Sequence, residues 1–222
     1  MSRSLQRLDR WAERSRLNPY RLLVMPHPRL TAADRAAFDG LLAATPDGGD
    51  VVYELAQPKW WFLHHAIGSS LLLHGTNEPG LTVLGTRATG DAHGKPVDAL
   101  FASDDPIWPL YFATVRRETL RHGYINAALH VRGSSRYLFS IGADPASPDS
   151  WCDGTIYLVP AATFHRTGTT RELLSDEPVT PRARLAVTPD DFPFRRQTIE
   201  HRAGGSVSGV VLRHALRRPA LR

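Results

Sequence analysis

The sequence contains a single cysteine, Cys152, in 222 residues. One thiol cannot close an internal disulfide, and it excludes a four-thiolate zinc site. No run of 18 apolar residues is present, so no membrane-spanning helix is expected. The opening MSRSLQRLDRWAERSRL is charged throughout and lacks an apolar core, which gives a cytoplasmic location as the expectation. Three catalytic signatures are missing as well: a G-x-G-x-x-G phosphate loop, a G-x-S-x-G nucleophile elbow and an H-E-x-x-H metal helix. His64, His65 and His74 have no carboxylates at ligand spacing, so no metal is expected. Cys152 has no activating partner nearby in sequence and reads as a buried thiol. Internal repeats and low-complexity blocks are absent too.

What is present is a globular composition. Apolar residues make up 42%, enough for a sizeable core. The net charge of +5 is unevenly placed. Residues 195–222 hold seven arginines and one acid, Glu200, so this tail is +6 and the rest of the chain −1. Such a tail suits a nucleic acid or an acidic protein, or it is simply a solvated terminus.

The pattern predicts a helix over 4–17 and a short strand over 21–25. A second helix follows, capped by Thr31 and reading TAADRAAFDGLLAA. VVYEL, 51–55, reads as a strand, and PKWWFLHHAI as a helix opened by Pro58. Strands are expected at 71–74, 81–84 and 98–102, with a loop over 87–96. Asp105 caps a helix expected to run to Gly123. INAALHV, RYLFSI and GTIYLV carry strand-forming residues. Residues 167–183 read as loop, and RLAV and SGVVLRHAL as closing strands. Helices early and strands later give an α+β fold. Three segments are expected: 1–48 helical, 49–170 a core, and 171–222 closing strands with the basic tail.

Two stretches carry chemistry. LLLHGT ends an apolar run on His74, beside Gly75 and Thr76. DALFASDDPIWPLYFA places Phe101 at a strand end and Tyr111 and Phe112 on the helix that follows. A flat ring bearing an amide fits between such aromatics, with Gly75 leaving room for close approach. Arg87 closes LTVLGTR and could meet a pyrophosphate; it reads equally as a surface residue.

The pair of stretches resembles the ADP-ribosyltransferase superfamily, in its diphtheria-toxin and poly(ADP-ribose) polymerase branch. There an H-G-[ST] strand is followed by a Y-F-A strand, then by a helix tyrosine about eleven residues on, and last by a strand carrying glutamate. His74-Gly75-Thr76 matches the first motif, Phe101-Ala102-Ser103 the second loosely, and Tyr111 or Phe112 the third. The resemblance also extends to a set of bacterial proteins sharing LHG, an F/Y-A-x-D-x-I-W-P segment and G-T-[IV]-Y-L. It implies a split antiparallel β-sheet core with N-terminal helices, and NAD as substrate.

Under that resemblance His74, Gly75, Thr76, Arg87, Phe101 and Tyr111 bind NAD. The glutamate strand is expected at WCDGTIYLV, which offers only Asp153 and Thr155 as stand-ins for the catalytic acid. Glu54, Glu172 and Glu177 could reach the site from elsewhere. The reaction implied is cleavage of the nicotinamide–ribose bond and transfer of ADP-ribose to an acceptor. Two alternatives stay open: an RNA 2'-phosphotransferase on a related fold, favoured by the lack of a glutamate in WCDGTIYLV and by the many arginines, and an inactive domain binding nucleic acid or protein through its basic tail.

Overall fold

The structure is a computed structural model that describes residues 22–25, 27–90, 96–131, 134–166, 172–202, 204 and 207–216. In chain order the elements are β1 (Leu23–Val24), α1 (Ala32–Ala44), β2 (Gly49–Asp50), α2 (Lys59–Ile67), β3 (Leu71–Thr76), β4 (Arg87–Gly90) and β5 (Pro96–Ser103). There follow α3 (Ile107–Thr114), β6 (Tyr124–Val131), β7 (Ser134–Ile141), β8 (Gly154–Pro160), β9 (His165–Arg166), β10 (Glu172–Ser175), β11 (Ala183–Val187), β12 (Ile199–Glu200) and α4 (Val207–Leu216). The class is α+β. The helix expected over 4–17 lies outside the described residues. Among the described residues, no helix is long and apolar enough to cross a membrane.

The chain forms two compact units from interleaved segments. One comprises Met1–Pro26, Arg116–Ser150 and Phe194–Arg222; the other comprises His27–Val115 and Trp151–Pro193. Two of the crossings fall where the chain leaves α3 and returns to β8. Val115 and Trp151 form an isolated antiparallel bridge there. That bridge also explains why α3 stops at Thr114 instead of running to Gly123. Val115 is extended, at φ −81° and ψ 127°, and its backbone has left the helix to pair.

The second unit is built on a sheet of order β2-β11-β8-β3-β5-β10-β9, with β4 paired to β5. β3 is central, which suits its three leucines: strands covered on both faces need no polar alternation. It pairs with β8 over six residues, from Leu71 opposite Pro160 to Thr76 opposite Thr155. Side chains alternate between the two faces of a strand. Leu72, Leu100, Ala102, Tyr157, Val159 and Leu173 share one face and form one apolar cluster with Leu84 and Val179. The other face carries Leu73, Gly75, Ile156 and Leu158 and is packed by α3. The α1 helix starts where expected: Asp34 N–H donates to Thr31 Oγ1 at 3.1 Å, and Thr31 N–H to Asp34 Oδ2 at 2.8 Å.

Several local readings are corrected. Residues 51–55 are not a strand; the pairing there is the two-residue β2. Segment 81–84 supplies only an isolated bridge, Leu84 to Val179. Residues 87–90 and 96–99 pair as a hairpin instead of forming a loop. Within 167–183, residues 172–175 form β10, paired with β5 over four residues.

In the first unit β7 pairs with β1, β6 and β12. Leu22, Leu138, Ile199 and Val210 form its apolar cluster. Tyr137 and Phe139 stack at 5.7 Å and 15°. SGVVLRHAL forms α4, not a strand. Val210 is buried and Val211 packs beside it against the cluster, while Leu212 is exposed. Packing of one helical face has overridden the β-branched propensity.

Candidate functional site

β3 and β5 are registered at one pair, Leu73 opposite Ser103. One residue further, a side chain bridges the strands: His74 Nδ1 lies 2.7 Å from the carbonyl oxygen of Phe101. A carbonyl only accepts, so Nδ1 carries the proton, and in the neutral ring Nε2 is the acceptor nitrogen. Tyr157, directly across on β8, has its ring 6.4 Å from the imidazole. The Tyr157 hydroxyl donates to the Glu78 carbonyl at 2.8 Å and accepts from Leu81 N–H at 2.9 Å. The turn after β3 is thereby tied down over His74.

Gly75 answers to packing as well as to any ligand. A Cβ built on it would stand 2.0 Å from the carbonyl oxygen of Pro109, in α3. Gly154, at the start of β8, is alike: its Cβ would stand 1.8 Å from the Ala113 carbonyl oxygen and 2.9 Å from that of Thr76. Two glycines on neighbouring strands make the notch that seats α3. Asn77 Nδ2 then donates to the Ala113 carbonyl at 2.7 Å and fixes the far end. Thr76 is buried opposite Thr155.

The expected aromatic wall is not assembled. By register Phe101 shares the α3 face with Ser103 and Leu73, whereas His74 belongs to the opposite face with Leu72 and Tyr157. It is the Phe101 backbone, not its ring, that meets the imidazole. The β5 side chains on the face of His74 are Leu100 and Ala102. Tyr111 is fully buried, packed on Phe112 at 5.3 Å and Phe192 at 5.7 Å. Arg87 makes a surface ion pair with Glu78 at 2.8 Å. Asp153 is exposed and precedes β8. Thr155 is buried on β8, a strand that lies across β3 from β5 and bears no carboxylate.

The acid next to the F-A-S strand is instead Glu172. It opens β10 and sits directly opposite Ser103, so register puts it on the α3 face. Trp108 of α3 donates its indole N–H to Glu172 Oε1 at 3.0 Å. Trp108 is held by the helix start: Asp105 Oδ1 accepts from the N–H groups of Ile107 and Trp108, at 2.9 and 3.3 Å. Burial pushes the Glu172 carboxyl above its ordinary value, and the indole hydrogen bond opposes the rise. Half-buried Phe112 meets Trp108 edge-on at 5.5 Å. Alongside, Arg166 of β9 pairs with Asp104. Glu54 and Glu177 are exposed.

Sequence reading looks for the glutamate in the most apolar late strand. The usable signal is weaker: E-L-L-S is a four-residue pattern in a polar stretch. Among the described residues no group of three or more His, Cys, Asp or Glu side chains is placed to hold a metal ion. Compared with protein-family models, curated proteins and solved structures, the chain has no match.

Proposed function

We propose that the chain is an ADP-ribosyltransferase-like enzyme that cleaves the nicotinamide–ribose bond of NAD, on a sheet split between β3 and β5. The observation that carries this reading is the order of three neighbouring strands. H-G-T lies on β3, F-A-S on β5, and a glutamate, Glu172, on β10. The three elements that the resemblance implies are thus adjacent, although the glutamate is not where the sequence suggests. Glu172 takes the role that the sequence assigns to Asp153 and Thr155.

β3 and β5 are paired only at Leu73 and Ser103, and at the opening beyond that pair His74 approaches from one face and Glu172 from the other. His74 offers its imidazole to a ribose hydroxyl, the ring set by the bond from Nδ1 to the Phe101 carbonyl. Glu172 supplies the carboxylate. Its Oε1 is engaged by Trp108, and Oε2 has no hydrogen bond among the described residues. As the glycosidic bond breaks, its electron pair leaves with nicotinamide, whose ring becomes neutral. Positive charge develops on the ribose, and a fixed carboxylate in a half-buried site stabilises it. The acceptor or water then adds to that carbon and loses its proton. Gly75 and Thr76 contribute backbone at the strand opening. Trp108 and Phe112, both half-buried, replace Phe101 and Tyr111 as the aromatic surface beside the acid.

The RNA 2'-phosphotransferase reading draws on a missing glutamate and on the many arginines; Glu172 beside the F-A-S strand weakens the first ground and leaves the second. The test is nicotinamide release from NAD, followed by chromatography. Release by the wild-type chain is expected, with Glu172→Gln and His74→Ala each slower by a factor on the order of 10² to 10³. A folded wild-type chain that neither releases nicotinamide nor gains thermal stability with millimolar NAD overturns the proposal.

A further inference from the structure

Charge is divided sharply between the two units. The segments Met1–Pro26, Arg116–Ser150 and Phe194–Arg222 carry 18 arginines against 6 acids, a net +12. The segments His27–Val115 and Trp151–Pro193 carry 9 basic residues against 16 acids, a net −7. Lys59–Asp191, Arg87–Glu78, Arg166–Asp104, Arg182–Asp47 and Arg184–Asp50 all lie within the acidic unit. In the basic unit Arg116, Arg117, Arg121, Arg196, Arg202 and Arg213 make no ion pair with a carboxylate among the described residues, and all but half-exposed Arg116 are exposed. Guanidinium groups without carboxylate partners repel one another and raise the local concentration of anions.

Tertiary contacts gather them. The group 116–121 and the group 196–202 are remote in sequence, yet His201 Nε2 lies 3.1 Å from the His122 carbonyl oxygen. His201 N–H also donates to the Ile141 carbonyl at 2.9 Å, and Ser140 holds His201 Nδ1 at 2.9 Å. Arg121 and Arg202 are therefore chain neighbours of two residues that touch. Tyr124 starts β6 opposite that same Ile141 and is 41% exposed. One end of this sheet thus combines arginines from two segments with an exposed phenol ring.

We infer that this end of the basic unit binds single-stranded nucleic acid, with Arg117, Arg121 and Arg202 on phosphates and Tyr124 against a base. The Lys and Arg positions of this unit are all arginine, the side chain that grips phosphate bidentately and also stacks on planar rings. An aromatic face among cations is the arrangement that holds unpaired bases without reading their sequence. The inference involves none of the residues assigned to NAD and stands independently of that reading.

The experiment is fluorescence anisotropy with labelled single strands of RNA and DNA, about 20 nucleotides long, and a DNA duplex, at about 50 and about 200 mM salt. Binding to one or both single strands that weakens with salt is expected; the RNA and DNA arms tell which is preferred. The variant Arg117→Gln/Arg121→Gln/Arg202→Gln should bind roughly tenfold more weakly or worse, with a log–log salt slope shallower by about 2. Tyr124→Ala should weaken single strands about tenfold and leave the duplex unaffected. Arg184→Gln, in the acidic unit, should change nothing. If the triple variant does not fold, Tyr124→Ala decides alone. No single-strand binding at the lower salt overturns the inference. So does equal affinity for the duplex, for heparin or for phosphatidylserine vesicles, and so does unchanged affinity in both folded variants.

Discussion

Gly75 and Pro109 touch backbone to backbone: no side-chain carbon fits between β3 and the helix α3 that crosses it. The contact places α3, and with it Trp108, relative to the H-G-T strand. It links a packing requirement directly to the geometry of the candidate site.

Gly75→Ala is therefore expected to destabilise the chain by about 1–3 kcal/mol or more, because the obstacle is backbone and cannot rotate aside. Gly40 supplies the opposite case. It lies within α1 and a Cβ there meets nothing within 4 Å. Gly40→Ala should stabilise by about 0.5–1 kcal/mol. Urea titrations of the two variants against wild type check both signs.

Glu172 gives a pH-dependent prediction. Its carboxyl is raised above the ordinary 4.5, first by burial, with the Trp108 hydrogen bond acting against the rise. An acid raised in the folded state contributes stability that is full below about 4.5 and is lost as pH climbs through the folded value. The neutral amide of the Glu172→Gln variant has no such loss. The two proteins should melt together near pH 4, and the variant should melt higher at pH 7, the gap opening as pH climbs. Trp108→Phe removes the opposing hydrogen bond, so carbon-13 NMR of the carboxyl should titrate at still higher pH. Melting curves that stay parallel across the range would contradict the assignment.

These residues also show what a sequence can convey. Leu71-Leu72-Leu73 reads as a buried strand because apolarity on successive residues needs cover on both faces. Thr31 reads as a cap because a hydroxyl directly before a helical pattern serves the first turn locally, and Asp34 completes the box in the structure. β10 is illegible for the converse reason: Glu172–Ser175 has too few residues to show a period, and its strand character comes from pairing with the distant β5. The helix α4 misleads through its valines, whose propensity yields to packing around Val210. Gly75 reads as an opening for a ligand, whereas its nearest neighbour is the Pro109 carbonyl on another element. Likewise the alternation that sends Phe101 to the α3 face depends on a register that only the paired strand defines.

Ser140 and His201 are both buried and bonded to each other at 2.9 Å. The second ring nitrogen is within reach of the His122 carbonyl at 3.1 Å, which makes Nδ1 the acceptor of the serine proton. Ser140→Ala leaves a buried acceptor unsatisfied and should cost about 1–3 kcal/mol. Ser140→Thr keeps the hydroxyl, so a smaller loss is expected. Chemical denaturation of the pair separates the lost bond from the altered volume.

The two roles of His74 can be separated, because they use different nitrogens. Nδ1 bridges β3 to β5 through the Phe101 carbonyl, which is a structural task. Nε2 is the nitrogen that the proposed chemistry needs. An asparagine amide is short and offers its N–H near the position of Nδ1, while leaving nothing where Nε2 stood. His74→Asn should therefore keep most of the stability that His74→Ala loses, with a difference of about 0.5–1.5 kcal/mol for the hydrogen bond. Both variants should lose nicotinamide release to the same extent. If the asparagine variant kept release as well as stability, the imidazole would be serving the strand junction alone. The transferase proposal would then rest on Glu172 without its partner.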